Sequence, residues 1–424
     1  MKKKFYWRKL DDHAKVLSLA ANNKYMSVFR LSVVLTEKID KETLQQALEL
    51  ALEKYKAFKV KMSKGLFWYY FEENEKKPVV NVENDYPFKK LNSRDNNDYL
   101  FKVTYFNNKI NIDFYHVLTD GNAGGEFLKE IVYRYLELKH PDEFEKTLLE
   151  QQEILQDSEN AYKNGYRKHL KKGSKSKKAY MLQGEELDRG IVSINHFNIN
   201  LKEMKQCTNI NECSLSMYLV AMVAYSIYET NYKMHSGKKP INICVPINLK
   251  KYITTETLSN FFSYMVICLN LRKNKIYTLD NILSMVKREF NKKLKLEKIL
   301  GTISADAGTT NNIFVRIVPL VIKKIAVSIG SFDVKRHFTL TFSNIGKIEV
   351  EEKYKKYIEN FFVILSPDWA EKNRCGVCSY EDNLVVSFST ILKDNLIESK
   401  FKELLVRNNI KFNIEGNGVN NVSE

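Results

Sequence analysis

Residues 114–125 read FYHVLTDGNAGG, and the rest of the chain is read outward from them. Ile110, Ile112, Phe114 and His116 recur with period two, so they share one face of a strand. That face is apolar, which turns His116 inward at the strand's end. Asp120 and Gly121 follow after a short step and open a helix, in which Phe127, Ile131, Tyr135 and Leu138 repeat at helical spacing. A partly desolvated histidine beside a small-residue loop suits general-base chemistry. Its neutral imidazole can take a proton from a hydroxyl, thiol or amine as that group attacks an electrophile. The same spacing also describes a hydrogen-bonded core histidine next to an Asp-capped helix. A two-ligand metal site is the poorer reading, because the glycine-rich turn breaks the helix that such a pair needs. None of the other six histidines (His13, His140, His169, His196, His235, His337) has an aspartate four residues on.

Working outward, MSVFRLSVVL (26–35) and the aromatic GLFWYYFEE (65–73) read as strands. KETLQQALELALEKY (41–55) reads as an amphipathic helix, and 99–106 with 110–116 as a hairpin turning at Asn107–Lys109. Residues 158–190 are polar, strongly basic and lack an apolar period, as expected of a linker or exposed crossover. Beyond them the mixture returns: strands at 191–200, 241–246 and 261–271, and helices at 214–230, 278–296 and 310–329. No short repeat period occurs, which excludes a solenoid. With 424 residues, this pattern predicts two mixed α/β domains.

Composition narrows the function classes. A hydrophobic fraction of 44% and an aromatic fraction of 12% are those of a chain that buries real cores. The formal net charge of +16 favours anionic partners, although much of it is compatible with solvated surface. Six cysteines are too sparse for a disulfide scaffold. Cys375 and Cys378 form one CxxC with no second pair at zinc spacing, and they adjoin an alternating, strand-like run. No metal site and a reduced, cytoplasmic setting are expected. The N-terminus lacks the features of a secretory signal, and the apolar run at 217–228 is too short to span a bilayer, so it reads as a buried helix.

HVLTDG between a strand and a helix resembles the HxxxDG motif of the CoA-dependent acyltransferase superfamily. That superfamily includes chloramphenicol acetyltransferase, peptide-synthetase condensation domains, plant BAHD enzymes and alcohol acetyltransferases. The chain looks most like the bacterial alcohol-acetyltransferase-like members. RKLDDHAKV (8–16), GLFWYYFEEN (65–74), VPINLKKY (245–252) with TLSNFF (257–262), TFSNIG (341–346) and NRCGVCSYEDNLVVSFS (373–389) extend the resemblance, in order, over nearly the whole chain. The DFGWG motif of the plant enzymes is absent.

The resemblance implies an α/β (α+β) fold of two similar, chloramphenicol-acetyltransferase-like mixed-sheet domains with an active-site tunnel between them. Residues 1–157 would form the first domain, 158–190 the basic linker and 191–424 the second, its last ten or so residues disordered. It implies that His116 deprotonates an alcohol or amine acceptor, which attacks an acyl-CoA directly with no acyl-enzyme. Asp120 and Gly121 would shape the loop, with Asp120 in a structural role. Ser343 or Asn344 would donate to the oxyanion, the bland alternative being a mere turn there. Asn260, Phe261, Phe262 and Lys250 would line the substrate channel. Lys250 stands where the family usually has arginine, which puts a pairing with Asp120 in doubt. Coenzyme A thioester would be a co-substrate and no cofactor would be bound permanently. A carrier-protein-bound substrate is the alternative within the superfamily. A non-catalytic basic binding protein on the same fold is the alternative outside it. Neither a nucleic-acid partner nor a transmembrane segment is expected.

Overall fold

The computed structural model describes residues 7–21, 27–88, 93–144, 162, 177–253, 255, 257–272, 275–295, 297–301, 304, 313–419 and 422. Most of the basic stretch at 158–190 therefore lies outside the described residues, as do four of the last five. The strands of the first half are β1 (Trp7–Lys9), β2 (Val28–Leu35), β3 (Val60–Lys64), β4 (Tyr69–Glu73), β5 (Val80–Val82), β6 (Phe101–Phe106) and β7 (Lys109–Tyr115). Those of the second are β8 (Ser193–Asn200), β9 (Ile241–Asn248), β10 (Phe262–Leu269), β11 (Leu340–Lys347), β12 (Ile358–Leu365), β13 (Asn373–Tyr380), β14 (Asn383–Thr390) and β15 (Phe412–Gly416). The longer helices are α1 (Asp12–Ala20), α2 (Lys41–Lys54), α3 (Gly121–Lys139), α4 (Leu201–Ile210), α5 (Leu215–Ile227), α6 (Leu279–Lys293), α7 (Leu320–Lys335) and α8 (Leu396–Arg407).

Three mixed or antiparallel sheets result, in the orders β1-β4-β3, β12-β2-β7-β6-β5 and β10-β9-β11-β13-β14-β8-β15. The five-stranded sheet packs on α2 and α3, and the seven-stranded sheet on α5, α6 and α8. The mixed α/β architecture expected from the sequence is thus present. One strand crosses between the halves. Although β12 comes late in the chain, it pairs antiparallel with β2, in the register Val363↔Leu31.

Local chemistry explains the elements that carry the site. On β7, Ile110, Ile112 and Phe114 are fully buried on the helix-covered face. Asp120 caps α3 by accepting from the Asn122 and Ala123 N–H groups, both at 3.1 Å. Gly124 lets α3 press onto β7, because a Cβ there would stand 3.2 Å from the Phe114 ring. α5 is apolar on every side and is accordingly buried on every side.

Two sequence expectations are corrected. Residues 65–73 are not one strand: β3 and β4 meet in a turn closed by Gly65 N–H donating to the Trp68 carbonyl at 3.0 Å. A Cβ on Gly65 would lie 2.7 Å from that same oxygen, so glycine fits the close approach. The helix expected at 310–329 is broken, with a short turn at Ile313–Ile317 and α7 beginning after Pro319, which cannot continue the hydrogen-bond ladder.

Candidate active site

His116 follows the last residue of β7, and its N–H donates to the Ser27 carbonyl at 2.8 Å, next to β2. Its ring is half-buried among aromatics: Phe29 at 4.9 Å, Phe262 at 5.3 Å and His13 at 6.2 Å between ring centroids. Burial pushes its pKa below the ordinary histidine value, opposed mainly by local hydrogen bonds and the Asp120 charge. The imidazole is therefore neutral near pH 7.

The partner that orients the ring comes from the other half of the chain. Asn260 Oδ1 lies 3.1 Å from His116 Nδ1. The Asn260 amide nitrogen donates to the His116 carbonyl at 2.9 Å and to Asp11 Oδ2 at 3.3 Å. Both of those groups are acceptors once Asp11 is ionised, so the NH2 end faces them and Oδ1 faces the ring. Oδ1 accepts only from a protonated Nδ1. The lone pair is then on Nε2, the nitrogen free to act as base.

The 257–262 segment that carries Asn260 is tied to the HxxxDG loop at several points. Asp120 Oδ2 accepts from Phe261 N–H at 3.1 Å, and Thr119 Oγ1 donates to the Leu258 carbonyl at 2.8 Å. Arg8 of β1, buried over the Phe71 ring, donates to Ser259 Oγ at 3.0 Å. One carboxylate of Asp120 thus caps a helix with one oxygen and clamps the opposite half with the other.

The site residues expected from the sequence separate accordingly. Asn260 is the buried hydrogen-bond partner of His116. The Phe261 side chain is fully buried against Tyr162, so its backbone rather than its ring reaches the site. The Phe262 ring does face the site, 4.4 Å from His13. Lys250 donates to the Thr257 carbonyl at 2.6 Å and so braces the same segment, while both Asp120 oxygens accept from backbone N–H groups. Gly121 sits where a Cβ would come within 3.1 Å of Ile345 on β11, which brings the TFSNIG strand against the loop. Asn344 is occupied, its amide donating to Ser216 Oγ at 3.1 Å and its oxygen accepting from Gly346 N–H at 2.8 Å. Ser343 is half-buried next to it.

Two residues of the site were not singled out from the sequence. His13 on α1 stacks edge-on to Phe262, and burial drops its pKa to about 3. Asp11 caps α1 through the Ala14 N–H at 2.7 Å, and burial lifts its pKa to about 6. Both lie in RKLDDHAKV, the stretch whose resemblance was noted without assigning a role to any one residue.

An open groove of about 920 Å³ lies elsewhere, lined by Asn198, Asn360, Asn383, Lys355 and Glu415 among others, and shares no residue with the His116 cluster. All six cysteines are free; Cys375 and Cys378 lie on opposite faces of β13, in different cores. Among the described residues no group of three His, Cys, Asp or Glu side chains could hold a metal. Among them also, no single helix is long and apolar enough to cross a membrane; the α4–α5 region passes only as a pair bent by 88°.

No protein-family model matches the sequence, and no curated protein matches it. Solved structures do match along nearly the whole chain. Polyketide synthase associated protein 5 from Mycobacterium tuberculosis superposes with a TM-score of 0.60 at 12% identity, over 94% of this chain and 96% of that one. The TRI3 trichothecene 15-O-acetyltransferase from Fusarium sporotrichioides gives 0.60 at 9%, over 95% and 94%. The starter condensation domain of rhizomide synthetase RzmA, in complex with C8-CoA and Leu-SNAC, gives 0.57 at 10%, over 95% and 93%. The chain has the fold shared by these acyltransferases and condensation domains.

Proposed function

We propose that the protein is an acyltransferase that moves an acyl group from a coenzyme A thioester to a hydroxyl or amine acceptor, with His116 as general base. The observation that carries this reading is the contact of Asn260 Oδ1 with His116 Nδ1 at 3.1 Å, from which we assign the proton to Nδ1 and the lone pair to Nε2, in a half-buried, aromatic site. In the proposed step Nε2 takes the acceptor's proton as the acceptor's oxygen or nitrogen bonds to the thioester carbonyl carbon. Collapse of the tetrahedral adduct breaks the carbon–sulfur bond, and the proton on Nε2 passes to the departing thiolate. The oxyanion needs a donor. Ser343 is the better candidate of the two considered, because the Asn344 amide already serves Ser216. Asp120 and Asn260 act as positioning residues. The basic balance of the chain would raise the local concentration of a polyphosphorylated donor. Cytoplasmic residence and a preference for alcohols belong to this proposal.

Likeness to a starter condensation domain supports a second reading, in which a separate carrier protein presents one substrate. One assay distinguishes the two. Purified protein is incubated with a panel of acyl-CoAs and acceptors, or with a loaded carrier protein, while free thiol release is followed. Acceptor-dependent release from acyl-CoA is expected, and His116→Ala should lower kcat by about 10²- to 10⁴-fold. Unchanged release from the variant would remove His116 from the base role. Release with the carrier alone would favour the second reading.

A further inference from the structure

Helix α7 turns Leu320 and Val327 to the core and buries a lysine between them: the ammonium of Lys323 lies 3.7 Å from the centre of the Trp68 ring. It donates to the Phe67 carbonyl at 2.9 Å and to the Arg316 carbonyl at 3.2 Å. The residues turned outward are apolar. Val321, Ile322 and Ile325 are 71%, 56% and 60% exposed, and Ile317, one turn before Val321, is 60% exposed. The tip of the β3–β4 hairpin joins the same surface, with Leu66 and Phe67 exposed and the Leu66 carbonyl accepting from Leu320 N–H at 3.0 Å. Six large apolar side chains therefore project from the hairpin tip, the Ile313–Ile317 turn and α7, which are hydrogen-bonded together. A soluble surface rarely groups that many without a partner.

The charge around them indicates the partner. Acidic residues adjoin this surface in ion pairs: Glu53 with Lys59 at 2.8 Å, Glu72 with Lys61 at 3.7 Å, and Asp333 near the far end of α7 with Lys178 at 2.9 Å. With Lys323 buried and Lys59 and Lys61 paired, Lys64, Arg316 and Lys324 carry the remaining positive charge of the surface. Exposed apolar side chains flanked by Lys64, Arg316 and Lys324 complement a layer whose interior is hydrocarbon and whose surface is anionic. We propose that this face seats the protein on the surface of an anionic lipid bilayer, with the hairpin tip and α7 entering the headgroup layer. α7 packs against α1, the helix that carries His13 to the site. A protein docked this way would hold the His116 site close to the interface. On the reading of the preceding section, it would draw amphiphilic donors or acceptors from the lipid phase.

The test is co-sedimentation of the full chain with vesicles of phosphatidylcholine alone and of phosphatidylcholine with phosphatidylglycerol. Binding is expected to the mixed vesicles and should weaken as salt rises. The triple variant Val321→Ser, Ile322→Ser, Ile325→Ser changes only exposed positions and should keep its melting temperature while binding about a hundredfold more weakly. Lys324→Glu, a second probe that leaves the apolar side chains in place, should weaken binding about tenfold. His116→Ala should bind as the native chain does, so loss of the catalytic reading and loss of this one are separable. Three results would overturn the proposal: no binding to mixed vesicles, equal binding by the triple variant, or a native dimer that the triple variant converts to monomer. The last would assign the face to a second copy of the chain.

Discussion

In the proposed mechanism Asn260 sets what His116 can do, because its Oδ1 faces Nδ1 and favours the proton there. Asn260→Ala should leave the His116 ring and the Asp11 carboxylate short of a partner. A loss of about 1–3 kcal/mol in stability by denaturant titration is expected, together with lower kcat. The pH dependence follows from the direction of the shifts. Burial lowers the His116 pKa, so the acid limb of kcat/KM should have its midpoint below the ordinary value of about 6.5. His13, dropped to about 3, contributes stability that is present above the unfolded histidine value and lost as the pH falls through the folded one. Asp11, raised to about 6, runs the other way: its contribution is full below the unfolded carboxylate value and is lost as pH rises through 6. A His13→Gln variant should therefore lose less thermal stability than the native chain between about pH 7 and about pH 4. His116 and Asp120 were legible in the sequence because a strand's alternation and a helix cap are local rules. Asn260 appeared there only as a channel residue and Asp11 not at all, since 249 positions separate the two ends of their hydrogen bond.

At the scale of elements, Gly376 is a position with no room for a side chain. A Cβ there would stand 2.1 Å from the Val363 carbonyl oxygen, a backbone atom that cannot turn aside. Gly376→Ala should cost about 3 kcal/mol or more, read as a lower denaturation midpoint or as loss of soluble protein. Asp120→Ala should cost about 1–2 kcal/mol through the α3 cap. It should also release Phe261 N–H and with it the Asn260 segment, so activity should fall further than stability alone accounts for. The hairpin 101–115, α2 and α3 were readable from periodicity. α4 is not legible in this way: Leu201–Ile210 is short, and its start is marked by the Asn200 side chain accepting from Glu203 N–H. The turn at Gly65 resembles a strand in sequence because aromatic composition suits strands whether or not the residues are buried.

For the whole molecule, periodicity gives elements but not which sheet receives them. Nothing local in IENFFVIL (358–365) reveals that it pairs with β2 rather than with its sequence neighbours β11 and β13. With that strand in place, the two halves share backbone hydrogen bonds as well as the Asn260 and Asp120 contacts. They should unfold together, in one calorimetric transition. Residues 1–190 expressed alone should be insoluble or aggregate unless 191–424 is supplied with them, because β2 would present a bare hydrogen-bonding edge.

The late position of β12 also bears on how the chain is made. The ribosome releases residues 28–115 long before residues 358–365 exist, so the first sheet leaves the exit tunnel lacking its outermost strand. For that interval the open rim of Val28–Leu35 can pair with any extended chain nearby, including another nascent copy. Folding of the first half must therefore wait on translation of the second or be shielded meanwhile. The same segment that joins the finished molecule leaves the first sheet's rim open until the second half has been made.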